Sequence, residues 1–288
     1  MAARTRVLEH LAVEELFDLL MGNYEEFERE LLAIASSWAT FIGAREEWID
    51  AVDTVHLVGR RFANLLTTTH AYCDQLPHVV SSLFGRESPE LDKVRKLFRA
   101  EHAAQFGYRV CTELRKYMQH RGTAVHQLNR TTSWVTRSDD NRVRVYWVAP
   151  QVRISRLRED RKFKSSVLAE LEINGSVDLT GDRLHDLRPF VREHVSALGR
   201  VHVEARTLLA SSARSCEAIV VEAIERFIAV GGNDISGLAA VELSERQLLE
   251  DRHPTFIMGD PIERRRALEQ RNRLPTRFDT QVVTNEVV

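Results

Sequence analysis

The sequence predicts a mainly α-helical fold on three observations. Only 13 Gly and 7 Pro occur in 288 residues, too few for a turn-rich all-β chain. Apolar residues recur at steps of three and four over long stretches. Helix start and stop signals flank those stretches. With 43% hydrophobic and 28% charged residues, the chain is neither disordered nor short of material for a core, so it needs no disulfide or metal to fold.

The N-terminal stretch MAARTRVLEHLAVEELFDLL carries Glu9, Glu14 and Glu15 where a signal peptide would be apolar, and charge breaks every apolar run before 18 residues. The expectation is a cytoplasmic chain without membrane contact. Cys73, Cys111 and Cys216 form no C-x-x-C pair, so neither a disulfide framework nor a zinc knuckle is implied. In NYEEFERELLAIASSWATFIG, Asn23 reads as an N-cap, Glu26 completes a capping box and Gly43 stops the helix. A second helix runs from Arg45 to about Leu76, with Trp48, Val52, Val55, Val58, Phe62, Leu65 and Leu66 on its apolar side and Pro77 kinking or ending it. Ser88 and Pro89 read as N-cap and first turn of a third helix reaching about His120, weakened midway at Gly107.

VRVYWV, closed by Pro150, is β-branched and aromatic, which predicts a short strand or hairpin at about 143–155. Helical character returns near 159–172. A long helix is expected from about Arg183 to Val230, stopped by Gly231 and Gly232. Short helices at 244–252 and 261–273 and a loose tail after Pro275 complete the reading. Three segments follow: 1–135 as a helical domain, 136–232 as a hairpin and long helix that complete or extend it, and 233–288 as a loosely structured end.

Charge is segregated along the chain. Residues 1–85 hold 6 Lys/Arg against 13 Asp/Glu, residues 86–165 hold 19 against 9, and residues 166–288 hold 15 against 20. The basic middle either presents a positive field to a polyanion such as RNA or neutralises the acidic helices of the same molecule. No phosphate loop, dinucleotide-binding fingerprint, His-Glu-x-x-His or nucleophile elbow occurs.

What stands out is RVCTELRKYMQHRGTAVHQL, at the end of the third helix. It places two Arg-x-x-x-x-His units in tandem, Arg115 to His120 and Arg121 to His126. An imidazole that accepts a proton from a ribose 2'-hydroxyl, beside a guanidinium that stabilises charge on the phosphoryl oxygens, can cut RNA without metal. The products are a 2',3'-cyclic phosphate and a 5'-hydroxyl. On a regular helix the five-residue step turns about 140° past a full circle and advances about 7.5 Å, which separates the pair. They converge if the helix loosens near Gly122, if Arg115 reaches along the surface, or if a two-fold dimer shares the site.

Tyr108-Arg109 followed by ELRKYMQHRG at 113–122, together with the upstream helix RRFANLLTTTHAYCDQ at 60–75, resembles the HEPN superfamily (higher eukaryotes and prokaryotes nucleotide-binding) over residues 45–126. The resemblance implies a HEPN-like helical bundle with a short β-hairpin insertion and a long C-terminal helix. It also implies a metal-independent endoribonuclease of a bacterial defence or toxin-like system, with Arg115 and His120 catalytic. Lys116, Arg121, His126 and Arg109 become substrate-binding candidates. The implied partners are RNA, a second copy of the chain and an antitoxin or regulatory protein, with no cofactor and no metal. Lys116 departs from the family pattern, which favours Asn, Asp or His there; lysine cannot accept a hydrogen bond but can contact phosphate. The alternative is a non-catalytic helical module that binds RNA or a protein. In that reading Arg115 and Lys116 form a solvated face, and His120 is a helix-terminal residue favoured by the macrodipole.

His194 and His202, eight residues apart on the long helix, lack the carboxylate or thiol partners of a metal set. Trp134, Tyr146 and Trp147 lie among arginines, where they either anchor the hairpin or stack bases.

Overall fold

Buried side chains at helical spacing organise the chain into eight α-helices among the described residues. The computed structural model describes residues 2–41, 48–136, 142–235, 238–240, 255–273 and 277–281. The helices are α1 (Ala2–Thr40), α2 (Trp48–Phe84), α3 (Pro89–Ala104), α4 (Phe106–His120), α5 (Ile154–Arg158), α6 (Ser165–Ile173), α7 (Leu187–Ala229) and α8 (Asp260–Arg271). None of them is long and apolar enough to cross a membrane. The strands are β1 (Gln127–Thr136), β2 (Arg142–Arg153), β3 (Ser176–Val177), β4 (Arg183–Asp186), β5 (Ala239–Ala240) and β6 (Thr255–Phe256).

Two compact units emerge, each drawn from three stretches of chain. One comprises Met1–Asp18, Asp74–Lys96 and Val201–Leu274; the other comprises Leu19–Cys73, Leu97–Arg200 and Pro275–Val288.

The second unit carries the candidate chemistry. Leu20, Tyr24, Phe27 and Leu31 of α1 and Val58, Phe62, Leu65 and Leu66 of α2 are buried at steps of three and four, with the rings of Phe27 and Phe62 6.0 Å apart. A four-stranded antiparallel sheet in the order β1-β2-β4-β3 completes the unit. The strand expected at 143–155 is β2, and its partner is β1, paired in register from Gln127↔Gln151 to Thr136↔Arg142. Arg153 pairs with Asp178 at 2.7 Å, and Asp182 accepts both the backbone N–H and the hydroxyl of Ser155, which fixes the approach to β4.

Residues 277–281 are tied to the second unit. Ser196 Oγ accepts the backbone N–H groups of Phe278 and Asp279 at 3.0 and 3.3 Å, and the Phe278 ring lies 4.9 Å from Tyr24. The looseness expected after Pro275 therefore does not extend to residues 277–281.

The first unit is built on a small core of Val7, Cys216, Val220 and Ile262. Its buried carboxylates Glu14 and Glu217 are paired with arginines of the same unit. Glu14, 3% exposed, accepts Arg206 Nε at 2.8 Å and Nη2 at 2.5 Å, with His202 Nε2 at 3.3 Å from the same carboxylate. Burial alone would raise this carboxyl, but the hydrogen bonds from Arg206 and His202 outweigh it and hold it at about 2. The His202 ring stacks on Phe17 at 3.9 Å.

Four local expectations differ from what the chain does. Asn23 caps no helix: α1 runs through it, its side-chain amide donates to the Leu19 carbonyl, and buried positions continue on both sides. Pro77 lies inside α2, which continues to Phe84 because Leu76, Val80 and Leu83 are buried. The third helix breaks at Gln105, whose backbone is extended, to give α3 and α4. The hairpin is longer than expected and joins β3 and β4.

Other signals hold. Ser88 Oγ accepts the Leu91 N–H at 3.2 Å at the start of α3, and Gly231, with φ +90°, follows the end of α7. The helix expected at 261–273 is α8, whereas Gly43 and residues 244–252 lie outside the described residues.

Candidate active site

The break at Gln105 sets where α4 begins, and Gly107 sets how closely it approaches α7. The Gly107 N–H donates to the Glu193 carboxylate, and a Cβ built there would stand 2.6 Å from the Phe190 carbonyl oxygen. Only glycine fits so close to a neighbouring backbone. The next residue, Tyr108, is buried. Its ring meets His194 at 4.4 Å and His102 at 5.3 Å, and its hydroxyl lies 3.1 Å from Cys73 Sγ. Burial first, and then the neighbouring thiol, raises the Tyr108 phenol well above its ordinary value.

These contacts wall a cavity of about 200 Å³. Helix α2 contributes Leu66, Thr69, His70 and Cys73; α3 contributes His102; α4 contributes Tyr108, Cys111, Thr112, Arg115 and Lys116; and α7 contributes His194. Arg115 is half-buried and has no hydrogen bond or ion pair among the described residues. Lys116 is half-exposed and pairs with the buried Glu113 at 2.7 Å.

Two of the imidazoles, His102 and His194, are pushed below the ordinary histidine value. Burial lowers His102, and the nearby charges of Lys164, Arg109 and Lys116 add to that against the opposing Glu113. His194 is lowered to about 3, chiefly by burial and then by His102, and its Nδ1 is a buried nitrogen with no hydrogen-bond partner. The cavity thus combines cations able to take a phosphate, an imidazole free of its proton at neutral pH and an unsatisfied buried nitrogen. Among the described residues, no group of three or more His, Cys, Asp or Glu is arranged to hold a metal ion, and the three cysteines form no disulfide.

Of the six catalytic and substrate-binding candidates drawn from sequence, Arg115 and Lys116 line the cavity, whereas His120, Arg121, His126 and Arg109 do not. His120 is the last residue of α4 and is exposed. Because α4 stays helical through both positions, the five-residue step separates His120 from Arg115 as the helix period requires. Arg121 turns to the Glu159 carbonyl at 3.3 Å and to Asp160 at 3.7 Å. His126 Nδ1 accepts the Arg153 N–H at 2.9 Å. Burial, with Arg156 and Arg153 nearby, lowers this imidazole to about 4, so it serves as a neutral acceptor that ties the start of β1 to β2. Arg109 is occupied by the Glu170 carboxylate at 3.0 Å and by the Phe106 ring.

Sequence reasoning passed over His70, His102, Tyr108 and Thr112 as site residues, and it weighed His194 only as a metal ligand. One signal was available: Leu66, Thr69, His70 and Cys73 fall on one face of α2 at helical spacing, a polar interruption of an apolar stripe.

Comparison with protein-family models, with curated proteins and with solved structures finds no match for this chain.

Proposed function

We propose that the chain is a metal-independent endoribonuclease, as the HEPN resemblance implies, with its reacting groups in the cavity walled by α2, α3, α4 and α7. The observation that carries this reading is that Arg115 opens onto the same cavity as His70, His102 and His194. His102, held neutral, accepts the proton of a ribose 2'-hydroxyl. The 2'-oxygen bonds to phosphorus as the bond from phosphorus to the 5'-oxygen breaks, and His70 supplies the proton that the leaving oxygen takes up. Arg115 and Lys116 neutralise the charge that gathers on the non-bridging oxygens. The products carry 2',3'-cyclic phosphate and 5'-hydroxyl ends. All of these groups come from one chain, so this reading needs no second copy. A defence or toxin-like role, with an antitoxin or regulatory protein as partner, belongs to the same proposal.

The test is incubation of the full chain with mixed RNA in EDTA, followed by analysis of product ends. Arg115→Ala and His102→Ala are expected to lower cleavage by about 100-fold or more each, with circular dichroism unchanged, whereas His120→Ala cleaves as the parent does. Loss of cleavage in His120→Ala alone would return the chemistry to the motif pair. Absence of products from every protein, with salt-sensitive RNA retention in a gel shift, would make the chain a binding module.

A further inference from the structure

The β1-β2 register sorts the hairpin side chains onto two faces, because directly opposed residues point the same way. Arg130 opposes Val148, Thr132 opposes Tyr146, Trp134 opposes Arg144 and Thr136 opposes Arg142, so Arg130, Trp134, Arg142, Arg144 and Tyr146 share one face. Trp147 pairs with Thr131 on the other face, where Arg188 lies over its ring at 5.1 Å.

The shared face is both aromatic and cationic. Trp134 is 59% exposed, so it anchors no core. The guanidinium groups of Arg142 and Arg144 stand 5.5 and 5.9 Å from the centre of its ring, and Arg144 also stands 5.5 Å from that of Tyr146. Tyr146 is braced in turn by the ring of Trp38, perpendicular to it at 5.4 Å. The paired positions of this face, from Leu128 to Thr136 and from Arg142 to Pro150, include no acidic residue.

We infer that this face binds single-stranded polynucleotide, with bases stacking on Trp134 and Tyr146 and with Arg142 and Arg144 taking phosphates. A base offers a flat π-surface that matches an exposed indole flanked by guanidinium planes, and its backbone supplies the negative charge that the face lacks. A duplex hides its base faces and offers only phosphates. This inference rests on the proposed function only in the choice of RNA as the polynucleotide; the stacking face itself is independent of cleavage.

The experiment measures binding of a fluorescein-labelled 2'-O-methyl oligouridylate of about 12 nucleotides to the full chain by anisotropy, across a salt series. This RNA lacks a free 2'-hydroxyl, so binding is read without cleavage. Trp134→Ala is expected to weaken binding about tenfold or more while Trp134→Phe retains most of it, and a duplex of equal length competes poorly. Arg142→Ala is expected to lower the slope of log affinity against log salt by about 0.7. Cleavage of unmodified RNA reads the cavity, whereas anisotropy with this uncleavable RNA in Trp134→Ala reads the hairpin face, so failure of the nuclease reading and failure of this one are distinguishable. Binding by Trp134→Ala equal to the parent's, or equal competition by duplex, overturns the inference. So does absence of binding with Trp134→Ala altering the sedimentation coefficient, which would make the face a contact between copies of the chain.

Discussion

The rings of Tyr108 and His194 lie 4.4 Å apart at 56°, and the His194 nitrogen beside them has no hydrogen-bond partner. This arrangement makes folding sensitive to acid. The folded imidazole takes its proton only near pH 3, against about 6.5 in the unfolded chain. Above pH 6.5 both states are neutral. Between there and pH 3 the unfolded chain binds a proton that the folded chain refuses, so stability falls as pH falls. The other groups on the cavity wall give no relief, because Arg115 and Lys116 are cations and His102 is itself lowered. His194 is expected to contribute a slope of up to about 1.4 kcal/mol per pH unit in this window. Urea unfolding at pH 7.5, 6.5 and 5.5 checks this, and His194→Leu should have a shallower acid slope than the parent.

Gly107→Ala tests the approach of α4 to α7. The added methyl would meet the backbone of Phe190, oxygen at 2.6 Å and Cα at 2.8 Å, and neither belongs to a flexible side-chain tip. A cost of about 1–3 kcal/mol is expected. The thermal midpoint reads that cost. On the nuclease reading, cleavage should fall as well, because the same turn of helix carries Tyr108 into the cavity wall.

Glu14→Gln addresses the buried charge cluster of the other unit. The substitution would leave Arg206, 13% exposed at its side chain, without its carboxylate. Breaking such a pair from one side costs about 3–5 kcal/mol. Chemical denaturation should show a loss of that size, and Glu14→Asp should recover part of it. A loss below about 1 kcal/mol would show that the bond Arg206 already donates to the Asn272 carbonyl, at 2.8 Å, suffices to hold it.

Punctuation was the legible part of the sequence. Ser88-Pro89 and Gly231-Gly232 act through local backbone chemistry, which a sequence displays directly. Strand β1, QLNRTTSWVT, shows no apolar alternation, since its exposed outer half leaves little core side to record. The need for glycine at 107 comes from the closeness of Phe190, far along the chain, and Asn23 was outweighed by burial on both sides of it. The candidate site was half visible. Arg115 was found through a local motif, whereas the imidazoles that share its cavity come from positions 70, 102 and 194 on three other helices. Local spacing does not encode that meeting.

The interleaved make-up of the two units has a consequence for biosynthesis. The segment up to Asp18 belongs with chain that begins at Val201, and the stretch from Leu19 to Cys73 belongs with chain that begins at Leu97 and resumes at Pro275. Neither unit holds all its parts until the chain beyond Val201 has been made. The nascent chain therefore carries amphipathic helices whose partners have yet to be synthesised, and their apolar stripes wait in water or on a chaperone. For the same reason neither unit can be cut out as a contiguous fragment, so a truncation series is a poor way to map activity onto this chain.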